Sequence, residues 1–244
     1  MTTRTAALAA LAWLQAMPER LQQIHRTHTG ERDTLQAAEH WTQEHRATLI
    51  EKSRQQARDD VAQLVDVAAS HHRTIVDYLN APDTRPATEQ LLDEQRDTRA
   101  WARLRPLLDK GADVRELTAE AEQAGDLPAL RALRDELPAY LRRDGAGTTL
   151  EQMRHDVSAA LRTLTGAIAR TAPADSDEAT RAALQVRVGA LTPLLGHETS
   201  TVQRQLDSGQ YDALGYAVTR SYLTNDVEAA EAALTSNTAQ EATT

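Results

Sequence analysis

Residues 31–81 read ERDTLQAAEHWTQEHRATLIEKSRQQARDDVAQLVDVAASHHRTIVDYLNA, a stretch with neither glycine nor proline. Gly30 stands immediately before it and Pro82 immediately after. Glycine and proline punctuate helices, so a run this long without either, rich in Ala, Glu, Gln, Arg and Leu, predicts helix. As one continuous helix it would reach about 75 Å, at roughly 1.5 Å per residue. Few globular domains can bury such an element along its whole length. The stretch therefore reads as a spacer, a coiled-coil arm or an assembly surface.

Its apolar residues fall in two groups. Leu35, Ala38, Trp41, Leu49 and Ile50 come first, and between Glu51 and Asp60 the one apolar residue is Ala57. Val61, Leu64, Ala68, Ile75 and Leu79 then form a coiled-coil-like seam, with His71 and His72 at the intervening position. The polar centre is read as exposed helix. Upstream, Leu8, Leu11, Leu14, Met17, Leu21 and Ile24 recur at three- and four-residue steps, the period of one helical face. Pro18 falls inside that series and predicts a kink or a fresh helix start. Gly30 reads as a C-terminal cap, which would turn the chain into an antiparallel hairpin there.

Downstream, Asn80-Ala81-Pro82-Asp83 with Pro86 makes a linker. A helix follows through Leu91 and Trp101 to Pro106, ending near Gly111; Asp113 and Asp126 can cap the next two. Asp144-Gly145-Ala146-Gly147 is a second linker. Thr148 with Glu151, Asp175 with Glu178, and Asn225 with Glu228 have capping-box spacing, and Gly196 is expected to close the second of those helices. Shorter helices are expected around Val202–Leu206 and Tyr211–Leu223.

These readings predict an all-α, elongated protein: a long N-terminal helical hairpin or coiled-coil-like arm over 1–81, turning near Gly30, and a multi-helix bundle over 83–235, divisible at 144–147. Residues 236–244 are expected to form a disordered tail.

Composition supports the class and narrows the function. The chain holds 43 Ala and 30 Leu but no Phe, and its eight aromatics are three Trp and five Tyr. Small side chains favour slim helices packed closely rather than a thick aromatic core. With no cysteine, disulfides and thiolate metal sites are excluded. The formal charge is −9, and residues 144–244 carry seven basic against thirteen acidic groups. No segment has the basic excess that phosphate neutralisation demands, which argues against nucleic acid as a partner. No apolar run approaches the ~20 residues of a membrane span. The short apolar stretch Ala6–Leu14 is interrupted by Gln15 and lacks a small-x-small site, so a cytoplasmic location is the expectation.

Candidate chemistry is sparse. His25 and His28 share a helical face, and His40 would approach them if the chain reversed at Gly30, a pattern that can hold a metal. Exposed histidines on a polar face are the simpler account, and no Glu-x-x-His pair occurs. Gly145 and Gly147 lack the strand, third glycine and lysine of a phosphate loop. No Gly-x-Ser-x-Gly elbow occurs, and adjacent Ser70 and His71 diverge on a helix. No catalytic residue, cofactor or metal site is therefore predicted. Trp13, Trp41 and Trp101 read as packing anchors, with Trp41 the alternative partner-binding anchor.

The leading expectation is a non-enzymatic scaffold or assembly protein that self-associates or binds a helical protein partner. Trp41, Val61, Leu64, Ala68, Ile75 and Leu79 are the expected contacts. In style, though in no motif, the chain resembles helical viral assembly scaffolds. The alternatives are an acidic adaptor binding a basic protein through its C-terminal bundle, and a helical enzyme or ligand binder around Tyr211, Tyr216 and Tyr222.

Overall fold

A computed structural model of the chain describes residues 3–144, 150–208 and 213–235. Among the described residues the regular elements are all helical: α1 (Arg4–Gln15), α2 (Met17–Ala37), α3 (Gln43–Leu79), α4 (Ala87–Leu108), α5 (Val114–Gln123), α6 (Leu127–Asp144), α7 (Leu150–Thr171), α8 (Asp177–Ser208) and α9 (Ala213–Thr235). The chain divides into two compact units. One comprises Met1–Asn80 and Val188–Glu228, the other Ala81–Arg187 and Ala229–Thr244. The segment Val188–Glu228 thus groups with the N-terminal helices, not with the bundle over 83–235 to which its sequence position assigns it. The linker glycines Gly145 and Gly147, the Thr148 cap, Tyr211 and the tail Ser236–Thr244 lie outside the described residues.

In the first unit, α1 and α2 pack along α3. Pro18 sits in the first turn of α2, where its missing N–H costs nothing, so α1 and α2 follow one another across a bend at Ala16. The pairing is antiparallel: Trp13 stacks on His71 at 4.6 Å, and His28 Nδ1 lies 2.9 Å from Ser53 Oγ. Ala7, Ala10, Leu11, Leu14 and Leu21 are buried on one side of this hairpin, and Val61, Ala68, Ile75 and Tyr78 on the other. Alanines at such positions let the helix axes approach closely.

The hairpin does not turn at Gly30. Gly30 lies inside α2, with the Thr34 hydroxyl donating to its carbonyl at 2.8 Å, and the chain reverses over Ala38–Thr42. Thr42 starts α3 as its N-cap, its hydroxyl accepting from the His45 N–H at 3.3 Å. An isolated glycine in a helix costs only about 1 kcal/mol, which packing against α3 can override. The breaker-free stretch is consequently two helices. Its polar centre stays helical, with Glu51, Lys52, Gln55, Gln56 and Asp59 exposed and Ala57 buried, and is laced by Arg54–Glu51, Gln55–Asp59 and Gln56–Asp60 side-chain bonds.

Gly30 supplies a direct check of this geometry. A Cβ added there meets nothing within 4 Å. Gly30→Ala should therefore raise the unfolding free energy by about 0.5–1 kcal/mol, read by urea denaturation. A loss of stability would place a turn at Gly30 after all.

In the second unit, α4 packs on α6, α6 on α7, and α5 on both α6 and α7. Its core holds Leu104, Leu108, Leu117, Leu130, Leu133, Leu137, Leu164 and Ile168. Asp113 and Asp126 do cap α5 and α6, accepting from the N–H groups of Arg115 (2.7 Å) and Ala129 (3.1 Å). Gly111 (φ +88°) and Gly125 (φ +64°) end the preceding helices in the left-handed region. At Gly111 the Ala112 N–H bonds back to the Leu107 carbonyl at 3.0 Å, closing a Schellman turn. Two other expected stops are absent: α8 runs through Pro193 and Gly196 to Ser208, and α9 runs through Asn225. The N-cap of α8 is Ser176 rather than Asp175, its hydroxyl accepting from the Ala179 N–H at 3.1 Å.

Arg131 ties this unit together. Its side chain is 10% exposed and contacts three carboxylates: Asp97 at 3.1 Å, Glu178 at 3.3 Å and Asp93 at 3.5 Å. Asp93 is shared with Arg85 at 2.7 Å. Burial pushes the Asp97 carboxyl above its usual range, against the pull of Arg131.

Candidate functional site

The coiled-coil-like seam of α3 is spent inside the chain. Val61 is 1% exposed and Ile75 is fully buried, while Ala68 is buried and Leu64 and Leu79 are half-buried. Val61, Ala68 and Ile75 therefore face the chain's own helices rather than an outer contact surface, while Leu64 and Leu79 keep part of their surface open. Trp41 is half-buried at the Ala38–Thr42 reversal, its ring edge-on to His40 (5.0 Å) and His45 (5.3 Å) on its own segment. Trp13 lies between His71 and Arg20, and Trp101 packs edge-on against Tyr140.

The histidine reading also changes with the position of the turn. His28 is tied to Ser53, and the Ser53 hydroxyl donates to Glu31 Oε2 at 2.6 Å. With its own proton directed at Glu31, Ser53 accepts the Nδ1 hydrogen of His28. The imidazole thus does not act as a base on Ser53, and Glu–Ser–His, in which serine rather than histidine takes the middle place, is a strut between α2 and α3. Burial lowers the His28 pKa, with Arg54 and Arg32 adding to the effect. A cleft of about 650 Å³ opens beside this strut, lined by residues that include Leu35, Leu49, Lys52 and Gln56. Among the described residues no three His, Cys, Asp or Glu side chains gather as a metal-binding group, and no helix is long and apolar enough to cross a membrane.

The features that stand out lie on α9. Over Ala213–Thr235 none of its described residues is buried. Its first half is poor in strong helix formers, with Gly215, Val218, Thr219, Ser221 and Thr224, whereas its second half is rich in Ala and Glu. One face, with Tyr216, Arg220, Leu223 and Val227, is half-buried. The other carries Leu214, Val218 and Tyr222, which are 77%, 49% and 70% exposed. Their i, i+4, i+8 spacing places them in one stripe, about 200° around the helix from Tyr216.

On the inner face, α9 is held by a buried carboxylate. Glu198 of α8 has no exposed surface and accepts from Arg220 Nε at 2.8 Å and from the Tyr216 hydroxyl at 2.9 Å. Gln22 of α2 completes the cluster. Its amide lies 3.1 Å from the Tyr216 hydroxyl and, with its carbonyl toward α9, accepts from both terminal nitrogens of Arg220 at 3.0 Å. Tyr216 stacks on His197 with ring centroids 5.5 Å apart. A buried charge is tolerated only when paired and hydrogen-bonded, and Glu198 meets that condition through α9.

Burial, and then the hydrogen bond to Glu198, pushes the Tyr216 phenol up to about 12. Because this value exceeds the 10.0 of a free tyrosine, the stability contributed by neutral Tyr216 is complete below pH 10 and is lost as pH rises through about 12. Ultraviolet titration should show a late tyrosine phase that Tyr216→Phe abolishes. If all tyrosines titrate together, the buried hydrogen bond to Glu198 is not formed.

A cavity of about 300 Å³ lies beside this cluster, walled by α2, α8 and α9 within the first unit. Sequence reasoning named Tyr216 but not Glu198, Arg220 or Gln22. Comparison with protein-family models, curated proteins and solved structures finds no match.

Proposed function

We propose that this protein is a non-enzymatic helical assembly component that pairs with a second copy of itself through the outward face of α9. The observation carrying the reading is the stripe of Leu214, Val218 and Tyr222, exposed on a helix in which no described residue is buried. A helical turn of weak propensity gains stability chiefly from packing, and the first half of this helix leaves Leu214, Val218 and Tyr222 in water.

Charge argues for a second copy as the occupant. Between Ala213 and Asn225 the one charged residue is Arg220, which is turned inward to Glu198. Over residues 214–222 the outward face is therefore neutral, its first charge being Asp226 one turn further on, so a charged partner finds little along the stripe to pair with. Two copies can lay such faces together about a two-fold axis without opposing like charges, even though each chain carries −9. The stripe supplies the apolar centre of an interface rather than its whole area. Standard interfaces bury about 800 Å² per partner, so micromolar self-association is expected.

Light scattering on a sizing column tests this. The expected mass at high micromolar loading is twice the 26.8 kDa of one chain, falling toward one chain on dilution. A chain that stays monomeric at every loading overturns the reading.

A further inference from the structure

The cavity beneath α9 has the composition of a ligand site, and its contents are independent of what covers the outer stripe. Its lining includes His25 and Arg26 from α2, Thr201 and Gln205 from α8, and Tyr216 and Arg220 from α9. Thr201 is 9% exposed, yet its hydroxyl makes no side-chain hydrogen bond among the described residues, and neither do the side chains of His25 and Gln205. Thr201 is largely buried while His25 and Gln205 are half-buried, and the polar atoms of all three open toward water rather than being sealed in. Three hydrogen-bonding groups with no side-chain partner among the described residues thus line one cavity and are open to a ligand.

The charge around the cavity selects what that is. Glu198, the carboxylate at its wall, is already neutralised by Arg220 and hydrogen-bonded by Tyr216, so it does not repel an anion. Arg26 remains. Its partner in the chain is Glu19, and both side chains are largely in water, at 58% and 71% exposure. Exposed pairs of this kind contribute little, so Arg26 can exchange Glu19 for a ligand at small cost. Arg26, Thr201, Gln205 and His25 all offer N–H or O–H donors. A guanidinium with surrounding neutral donors suits a carboxylate, and the volume limits the ligand to a small molecule.

We propose that this cavity binds a small organic acid, with its carboxylate on Arg26 and its remaining polar atoms on Thr201, Gln205 and His25. Glu19 acts as an internal competitor for the same guanidinium.

Calorimetric titration of the full chain with citrate as the probe tests this, with inorganic phosphate as the second arm. Citrate should bind saturably at one site in the submillimolar range. Arg26→Gln should weaken it at least tenfold, and Thr201→Val severalfold. Glu19→Gln should tighten it severalfold, a gain that general destabilisation cannot produce. Thr201 lines this cavity and not the cleft between α2 and α3, so its effect assigns the site. Absence of saturable heat at millimolar citrate overturns the proposal, as does unchanged binding in Arg26→Gln. Phosphate binding as tight as citrate overturns the organic-acid assignment. Because these substitutions leave Leu214, Val218 and Tyr222 untouched, the mass of the protein should not change with them, and the two readings fail separately.

Discussion

Tyr222→Asp is expected to raise the dissociation constant of the self-associated protein by a hundredfold or more while leaving its thermal unfolding, measured on the dilute monomer, nearly unchanged. Tyr222 is 70% exposed, so the monomer loses almost no packing when it is replaced. In the paired state the substitution acts twice. Each copy forfeits a buried aromatic, of order 2 kcal/mol, and places an unpaired carboxylate in a neutral, apolar seam. At about 1.4 kcal/mol per tenfold, a combined loss over the two copies of about 4 kcal/mol or more exceeds a hundredfold. Leu91→Asp is the control, since Leu91 is also exposed (54%) but belongs to the other unit. It should leave the mass as it is. Loss of association in both variants would point to general stickiness, and persistence in Tyr222→Asp would remove α9 as the contact.

The helical class was open to reading because it rests on local signals. The 3.6-residue period of Leu8 to Ile24 and the Asp113 and Asp126 caps all act within a few residues of themselves; the structure keeps the helices and both caps, with Leu11, Leu14, Met17 and Leu21 buried while Leu8 is 39% exposed. The position of the first turn was harder to read. Ala38–Thr42 reverses the chain with no glycine or proline, while Gly30, the obvious breaker, is absorbed into α2. The one local mark of the turn is Thr42, an N-cap residue type two residues before Glu44, and the surrounding lack of breakers masks it. Gly196 and Asn225 misled in the same way, because neighbouring packing decides whether a weak helix former interrupts a helix.

The candidate site was hidden for a different reason. Glu198 sits in His197-Glu198-Thr199, which locally reads as solvent-exposed helix. Its burial depends on Gln22, Tyr216 and Arg220, which approach from α2 and α9. No pattern within one helix encodes that meeting. One clue was available. Tyr216 and Tyr222 are six residues apart, about 240° around a helix, so they cannot share a core if α9 is continuous. That spacing separates an inward tyrosine from an outward one, which is the division the structure shows.

Arg131→Met should be the most damaging single substitution in the second unit, costing about 3–5 kcal/mol at neutral pH. The arginine is 10% exposed, and it stands against Asp93, Asp97 and Glu178, whose side chains are 19%, 24% and 27% exposed. Methionine fills the volume and keeps the apolar contacts of the stem, so the loss is electrostatic: three carboxylates remain where one cation joined them. The defect should also depend on pH in a defined sense. Asp97 already has a folded pKa above its ordinary 3.8 because of burial, and removing the guanidinium opposing that rise can only lift it further. A carboxyl that holds its proton more tightly when folded favours the folded state in acid, and that contribution is lost as pH rises through the folded value. Arg131→Met should therefore regain stability relative to wild type as pH falls from neutral toward about 4, and Asp97→Asn in the same background should recover part of the loss at neutral pH. Arg131→Lys should recover less, since an ammonium cannot span acids on three sides as a planar guanidinium does. Urea denaturation of the four proteins at two pH values decides the matter. A neutral-pH loss under 1 kcal/mol, or a loss independent of pH, would mean that water takes over the role of Arg131 and that α4, α6 and α8 are held by their leucine core alone.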